Sequence, residues 1–264
     1  MQRPIFQTLF LGQSFYYLKT VPSTNKHLHE LLAQNDRLLE GILVLAGHQS
    51  AGRGQYGNQW FVEPSKNLTF SFLLKPNMVK MHQHFYLNKV ISLGLLEGVK
   101  ESLMSCADFD PEKLKVKWPN DLMYEDKKWA GILIENAIRG NAINHSIVGI
   151  GLNVNQRKFD ENQGRGGSPG AAFDQNFDLV SLLQKVVTQL EKHYLALRSG
   201  NLLFIDKSYI SNLYQFEKTE NYRIKDEIIE GKIVAVEPTG HLIVASPSKS
   251  YRCDFKEIEF LKKP

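Results

Sequence analysis

Cysteine is scarce in this chain. Only Cys106 and Cys253 occur among 264 residues. They lie far apart, so a disulfide scaffold is not indicated and a reduced, cytoplasmic setting is the expectation. Long hydrophobic runs are lacking as well. No stretch approaches the ~20 apolar residues of a membrane span, and no basic start with an apolar core marks an export signal. Charge of one sign is also missing. The net charge of +4 is spread along the chain, without the concentrated basic face that nucleic acid requires. The eight histidines are scattered, with no spacing of a metal site, and no Gly-x-Ser-x-Gly turn announces a nucleophilic serine. No internal repeat is visible. What remains is an ordinary globular composition, 42% hydrophobic and 23% charged. The length suffices for one large domain and a small one.

What is present centres on Gly47–Trp60, which reads Gly-His-Gln-Ser-Ala-Gly-Arg-Gly-Gln-Tyr-Gly-Asn-Gln-Trp. An apolar, strand-like run over Ile42–Ala46 leads into it. Glycines at 52, 54 and 57 allow a ligand close approach to the backbone. Arg53 between them offers a planar cationic fork for carboxylate or phosphate. By itself the pattern is equally that of a tight surface turn with a solvated arginine.

Along the chain, Ser14–Leu18 reads as a strand. Ser23 is a predicted N-cap, with Leu28, Leu31 and Leu32 at helical spacing and a helix end near Asn35. The free amides and hydroxyls at that helix start suit a polar ligand group, although Ser23 as a simple cap explains the pattern too. Asn67–Leu74 alternates as a strand through Phe72, and Leu87–Met104 reads as a core helix. Leu114–Tyr124 and Trp129–Glu135 form strands of a hairpin turning at Glu125–Lys128, which brings Asp121 and Lys128 toward one surface. Two glycines inside the strand-like run Asn144–Gly151 suggest either close packing by a ligand or a bulge. Gly164–Gly170, rich in glycine and proline, is predicted as a mobile loop. Leu179–Leu197 is an amphipathic helix, and Ser199–Gln215 is partly helical. From Lys218 the pattern changes to four short strands, over 222–224, 228–237, 241–246 and 250–255, so a small β unit is expected beyond 215–220.

The order of these motifs carries a resemblance. Ser23-Thr24-Asn25, Gly52-Arg53-Gly54-Gln55-Tyr56-Gly57 with Trp60, Lys117-Trp118-Pro119-Asn120-Asp121, Lys128-Trp129-Ala130-Gly131-Ile132-Leu133 and Gly149-Ile150-Gly151-Leu152-Asn153 resemble the motif series of biotin–protein ligases. The Lys218–Pro264 tail resembles that family's SH3-like domain. The resemblance implies an α+β fold: a class II aminoacyl-tRNA-synthetase-like mixed, largely antiparallel sheet with flanking helices over residues 1–217, and a small SH3-like β-barrel over 218–264. It implies ATP-dependent activation of biotin as biotinyl-5′-AMP, then transfer to a lysine of a biotin carboxyl carrier domain. Mg²⁺ would be held mainly by the ATP phosphates, with no dedicated metal site on the protein.

By the same resemblance Arg53, Lys128 and Asp121 are catalytic. Ser23, Thr24, Gln49, Gly52, Arg53, Gly54, Gln55, Trp118, Lys128 and Gly131 form the biotin site, with Trp118 in its apolar wall. Arg53, Trp60, Asn120, Lys128 and Asn153 serve ATP. The expected partner is the carrier domain, without DNA or membrane, and the chain acts as a monomer or homodimer. With no helix-turn-helix ahead of the first motif, a single-function enzyme is expected. Three positions depart from the family pattern: Gln55 stands where a second arginine is common, Trp129 replaces a smaller aliphatic residue, and the 163–175 segment lacks the usual small-residue pattern. Lipoate–protein ligase is the alternative enzyme, though its glycine loop differs from Gly-Arg-Gly-Gln-Tyr-Gly. A biotin-binding module without turnover is the non-enzymatic alternative.

Overall fold

The computed structural model describes residues 4–35, 37–159 and 165–261. A seven-stranded sheet orders as β1-β2-β3-β7-β6-β5-β4. Its strands are β1 (Phe15–Leu18), β2 (Leu43–Ala46), β3 (Leu68–Leu74), β4 (Leu114–Lys117), β5 (Asp121–Tyr124), β6 (Lys127–Arg139) and β7 (Ala142–Leu152). β1 and β2 run parallel and every other neighbour is antiparallel.

The alternation along β3 divides the sheet into two faces, because successive strand side chains point to opposite sides. Leu68, Phe70, Phe72 and Leu74 enter the main core, under α2 (Phe85–Leu103) and α4 (Leu179–Arg198). α2 is apolar almost all round and correspondingly buried. It meets α4 so closely that a Cβ on Gly94 or Gly98 would overlap the backbone of Leu190 or Val186. The opposite face carries α1 (Thr24–Gln34) over a smaller cluster of Leu28, Ile42, Val44, Leu73 and Ile147. Asp178 caps α4 from its side chain, and Ser23 caps α1 as predicted.

α5 (Leu202–Ser211) leads to a second, five-stranded antiparallel sheet, ordered β11-β10-β9-β8-β12. Its strands are β8 (Glu220–Ile224), β9 (Glu227–Val236), β10 (Leu242–Ala245), β11 (Ser250–Cys253) and β12 (Ile258–Phe260). The mixed large sheet, its flanking helices and the small C-terminal sheet match the expected architecture. The sequence reading misses β12, which has only three residues and therefore no alternation long enough to register.

The glycine-rich segment corrects another expectation. Residues 160–164 lie outside the described residues, but 165–170 are docked rather than mobile. Lys128 N donates to Arg165 O at 2.7 Å, Gly167 N to Lys128 O at 3.0 Å, and Gly170 N to Val154 O at 2.8 Å. Ser168 then caps the short helix α3 (Pro169–Ala172). Glycine serves close approach here: a Cβ on Gly170 would sit 2.8 Å from Val154 O.

Candidate functional site

The site grows from the register of the large sheet on the α1 face. Thr69 of β3 pairs with Gly151 of β7, Gly151 with Gly131 of β6, Gly131 with Asp121 of β5, and Asp121 with Lys117 of β4. The next row on this face runs Ser71, Gly149, Leu133. The central positions of the rows are therefore bare glycines, and they leave a trough in the sheet. Neighbouring side chains use that space. A Cβ on Gly151 would overlap the Trp60 indole, and one on Gly149 would overlap Asn25 Oδ1.

The walls come from α1 and the Gly47–Trp60 loop. Thr24 donates to Gln49 Oε1 from its backbone N at 2.7 Å and from Oγ1 at 3.0 Å. The Ser71 hydroxyl lies 2.6 Å from both Thr24 Oγ1 and Asn25 Oδ1. The loop folds back as a tight lobe, with Trp60 N donating to Gly52 O at 3.0 Å and Gly54 N to Asn58 O at 2.6 Å. A side chain on Gly52 would overlap Trp60 O, so this crossing requires glycine. Gly57 completes the lobe with a positive φ of 83°. These walls enclose a cavity of about 210 Å³. Ser23, Thr24, Gln49, Arg53, Gly54, Gln55, Trp60, Asn120, Asp121, Lys128 and Gly131 all line it.

Lys128 Nζ reaches Asp121 Oδ1 at 2.7 Å and lies 5.7 Å from the centre of the Trp60 ring. These three residues also line a second, larger cleft of about 1480 Å³. That cleft runs between β4, β5, the Arg165–Gly166 segment, the end of α5 and the C-terminal sheet. Lys117 faces it with Nζ 4.7 Å from the centre of the Phe260 ring. Burial holds the Lys117 ammonium below the usual lysine range, and nearby Lys128 adds to this while Asp121 opposes it. A lysine, a carboxylate and an aromatic ring thus stand where a small polar cavity and a broad cleft share their walls, with Lys117 on the cleft side. That arrangement can neutralise an anion built between the two spaces.

Most predicted site residues converge here, and three are spent otherwise. Trp118 does not line the cavity. It is buried against Phe255 at a ring separation of 5.3 Å and donates from Nε1 to Gly240 O at 2.9 Å. The turn between β4 and β5 points its indole toward the C-terminal sheet, which corrects the expected apolar wall. Gly52 stands behind the cavity, with its carbonyl engaged by Trp60 N. Asn153 lines the larger cleft, but its amide donates to Gly167 O at 3.0 Å and Lys128 O at 3.4 Å, so it fastens the glycine-rich segment to β6. Asn120 lines the small cavity and donates to Ile132 O at 2.7 Å.

The sequence reading names Asn25 within a motif but gives it no role, and it passes over Thr69, Ser71 and Glu135. A signal exists for the two β3 residues: they are the polar alternates of an otherwise aromatic and aliphatic strand. Glu135 follows Gly131 and Leu133 at period two on β6, which puts it on the ligand face. Trp129, the departure from the family pattern, is fully buried. It stacks on Tyr124 at 4.4 Å and meets Phe173 edge-on at 6.0 Å, filling the space under the docked segment.

Comparison with known proteins gives the family. Residues 17–153 match the model of the biotin/lipoate A/B protein ligase family. The chain belongs to this family. The match begins in β1 and ends at Asn153, so it takes in every motif around the trough. Among curated relatives of this family member, the bifunctional ligase/repressor BirA of Bacillus subtilis is 30% identical over 191 residues, covering 71% of this chain. The biotin–[acetyl-CoA-carboxylase] ligase of Mycobacterium tuberculosis is 28% identical, covering 57% of this chain. The chain spans about half the length of these relatives, 56% and 54% respectively. Among solved structures, the biotin protein ligase from Aquifex aeolicus in complex with biotin and ATP has a TM-score of 0.76 at 23% identity, covering 95% of this chain and all of that one. At that identity the likeness is one of fold. No described helix is long and apolar enough to cross a membrane.

Proposed function

We propose that this chain is a biotin–protein ligase working in two half-reactions on one site. The observation that carries the reading is the Lys128–Asp121 pair, 2.7 Å apart where the small cavity and the large cleft share their walls. The small cavity would take biotin, with its ureido group against Thr24, Gln49 and Ser23, and its carboxylate toward Lys128 and Arg53. Preformed polar groups in a confined pocket suit an uncharged cyclic urea better than an apolar dithiolane, which favours biotin over lipoate. ATP would enter from the cleft, with Trp60 and Asn153 on that side, Asn120 reaching it from the small cavity and Mg²⁺ carried by its phosphates.

In the first half-reaction the biotin carboxylate oxygen attacks the α-phosphorus and the bond to pyrophosphate breaks. Arg53 and Lys128 would offset the charge that builds on the phosphoryl oxygens. In the second, the neutral amine of an acceptor lysine attacks the acyl carbon and AMP leaves. Lys128 turns to the phosphate and releases Asp121, whose carboxylate takes the amine's proton. The acceptor is a biotin carboxyl carrier domain. The catalytic unit would be residues 1–217, and 218–264 a separate C-terminal unit that walls the cleft. A cytoplasmic location fits this chemistry, because ATP and carboxylases must be at hand.

The test is transfer of labelled biotin to a carrier domain with ATP and Mg²⁺, by wild type and Lys128→Ala. Transfer by wild type and its loss in the variant support the reading. Adenylate without transfer keeps the first half-reaction and rejects the acceptor. Turnover of lipoate but not biotin would assign the alternative substrate, and biotin binding without pyrophosphate release would leave only a binding module.

A further inference from the structure

Behind the small cavity lies a carboxylate with no assigned part in the chemistry. Glu135 on β6 is half-buried and does not line the cavity, yet three side chains converge on it. Asn25 Nδ2 donates to Oε2 at 2.6 Å, His29 Nε2 lies 3.4 Å from the same oxygen, and Arg53 Nη2 donates to Oε1 at 3.4 Å. Asn25 is itself fixed, buried over Gly149 and in contact with Ser71 Oγ, which touches Thr24. Thr24 holds Gln49. A continuous chain of polar contacts therefore runs from Gln49 through Thr24, Ser71, Asn25 and Glu135 to Arg53, each step 3.4 Å or less. One end meets the cavity at its polar recess. The other is the cation of the glycine loop.

We infer that Glu135 is a positioning residue that holds Arg53 against the cavity wall and ties its place to the polar recess through Asn25. The inference rests on the ligase reading. Arg53 sits on a loop whose glycines leave its backbone many conformations, and a flexible cation is a poor stabiliser of charge unless something fixes it beforehand. Glu135 supplies that constraint from β6, whose backbone at this residue is paired with Ile147 of β7. Its two oxygens divide the work. Oε2 serves Asn25 and the recess, and Oε1 serves Arg53. Gln55 sharpens the dependence, since it leaves Arg53 as the single arginine of the glycine motif.

The division of labour makes a specific test. Glu135→Gln keeps an oxygen for Asn25 but turns an amide toward Arg53. The expected result is a fall in kcat for biotin-dependent pyrophosphate release of about tenfold or more, as for other residues that orient a ligand-binding group. The KM for biotin should rise by a smaller factor than kcat falls, because Lys128, Thr24 and Gln49 keep their places around the ligand. In an Arg53→Ala background the same change should have no further effect on that rate, because Glu135 acts through Arg53. Glu135→Ala, which abandons Asn25 as well, should raise the KM for biotin further. A readout free of activity is tryptic cleavage after Arg53 in the ligand-free protein, expected to be faster in Glu135→Gln than in wild type. Additive losses in the double variant, or wild-type kcat and wild-type cleavage in Glu135→Gln, would overturn the inference and leave the ligase reading intact. Wild type that releases no pyrophosphate with biotin would overturn both.

Discussion

Lys128 and Asp121 neutralise each other in the ligand-free chain, and both side chains keep contact with solvent. A pair of that kind contributes little to stability, so their variants should fold and report on chemistry. Lys128→Ala is expected to slow biotin-dependent pyrophosphate release by about a hundredfold or more, the loss typical of one donor to a developing charge. Asp121→Asn should spare that step and slow transfer to the acceptor, and following the two half-reactions separately distinguishes them. The cysteines allow a check on burial. Cys253 is enclosed in the C-terminal sheet, and burial pushes its thiol up to about 11. A raised folded-state value means the folded chain holds its proton where the unfolded chain has released it. Stability from this group is therefore full below about pH 8.5 and is lost as pH climbs toward 11. At pH 7.5 a thiol reagent should label the partly exposed Cys106 and spare Cys253 until the protein unfolds, as mass spectrometry would show.

At the scale of elements, the glycine-rich segment depends on what lies beneath it. Trp129 stacks on Tyr124, Tyr124 on Phe109, and Phe173 stands edge-on to all three. Trp129→Ala should cost about 3–5 kcal/mol, as for other large buried aromatics, and loosen residues 165–173 before the rest of the chain melts. Faster hydrogen exchange confined to that segment, at a denaturant concentration below the global midpoint, would show it. This aromatic cluster also explains why the sequence pattern reads as a mobile loop. Gly166, Gly167 and Gly170 look like flexible punctuation, yet they are small because side chains and backbone press on them. Local composition cannot distinguish a glycine that needs freedom from one that needs proximity. Periodicity, by contrast, makes α1 and α4 legible through an apolar stripe, β3 through its alternation of polar with apolar residues, and α2 through its apolar spacing, although α2 and β3 are buried on nearly every side. The trough was half legible. Gly149 and Gly151 stood out inside a strand, but their alignment with Gly131 and Asp121 depends on pairing between β5, β6 and β7, which are far from readable in any one segment. Trp118 was misplaced for the same reason: its partners, Gly240 and Phe255, lie more than a hundred residues away.

Those distant partners bear on the molecule as a whole. The C-terminal sheet meets the larger one through a few polar and aromatic contacts that are expensive to leave unmade. Trp118 donates to Gly240 O, and Phe85 packs between Tyr209 and Phe255. Lys89, almost wholly buried, holds Asp206 at 2.7 Å and donates to Val236 O at 3.2 Å. Burial keeps the Lys89 ammonium below the ordinary lysine range despite Asp206, so it is costly to keep charged and depends on these partners. The same sheet supplies Phe260 to Lys117 and walls the large cleft. If the sheet were an appendage, a chain cut after residue 217 would keep its fold and its adenylation rate. The contacts argue otherwise. The cut removes the Gly240 acceptor of the Trp118 indole and the Val236 acceptor of the Lys89 ammonium, which keeps Asp206, and it exposes to water the apolar surface that Trp118 and Phe85 bury against Phe255. It also frees the turn at Trp118–Asn120, which carries Asp121 into the site. The truncated chain is therefore expected to melt well below the full chain and to release pyrophosphate slowly even when folded at low temperature. Adding the 218–264 piece in trans should restore some of both. Thermal midpoints and single-turnover pyrophosphate release, compared for the full and cut chains, measure the two effects. A cut chain with an unchanged midpoint and rate would mean that the small sheet contributes only to what docks in the cleft.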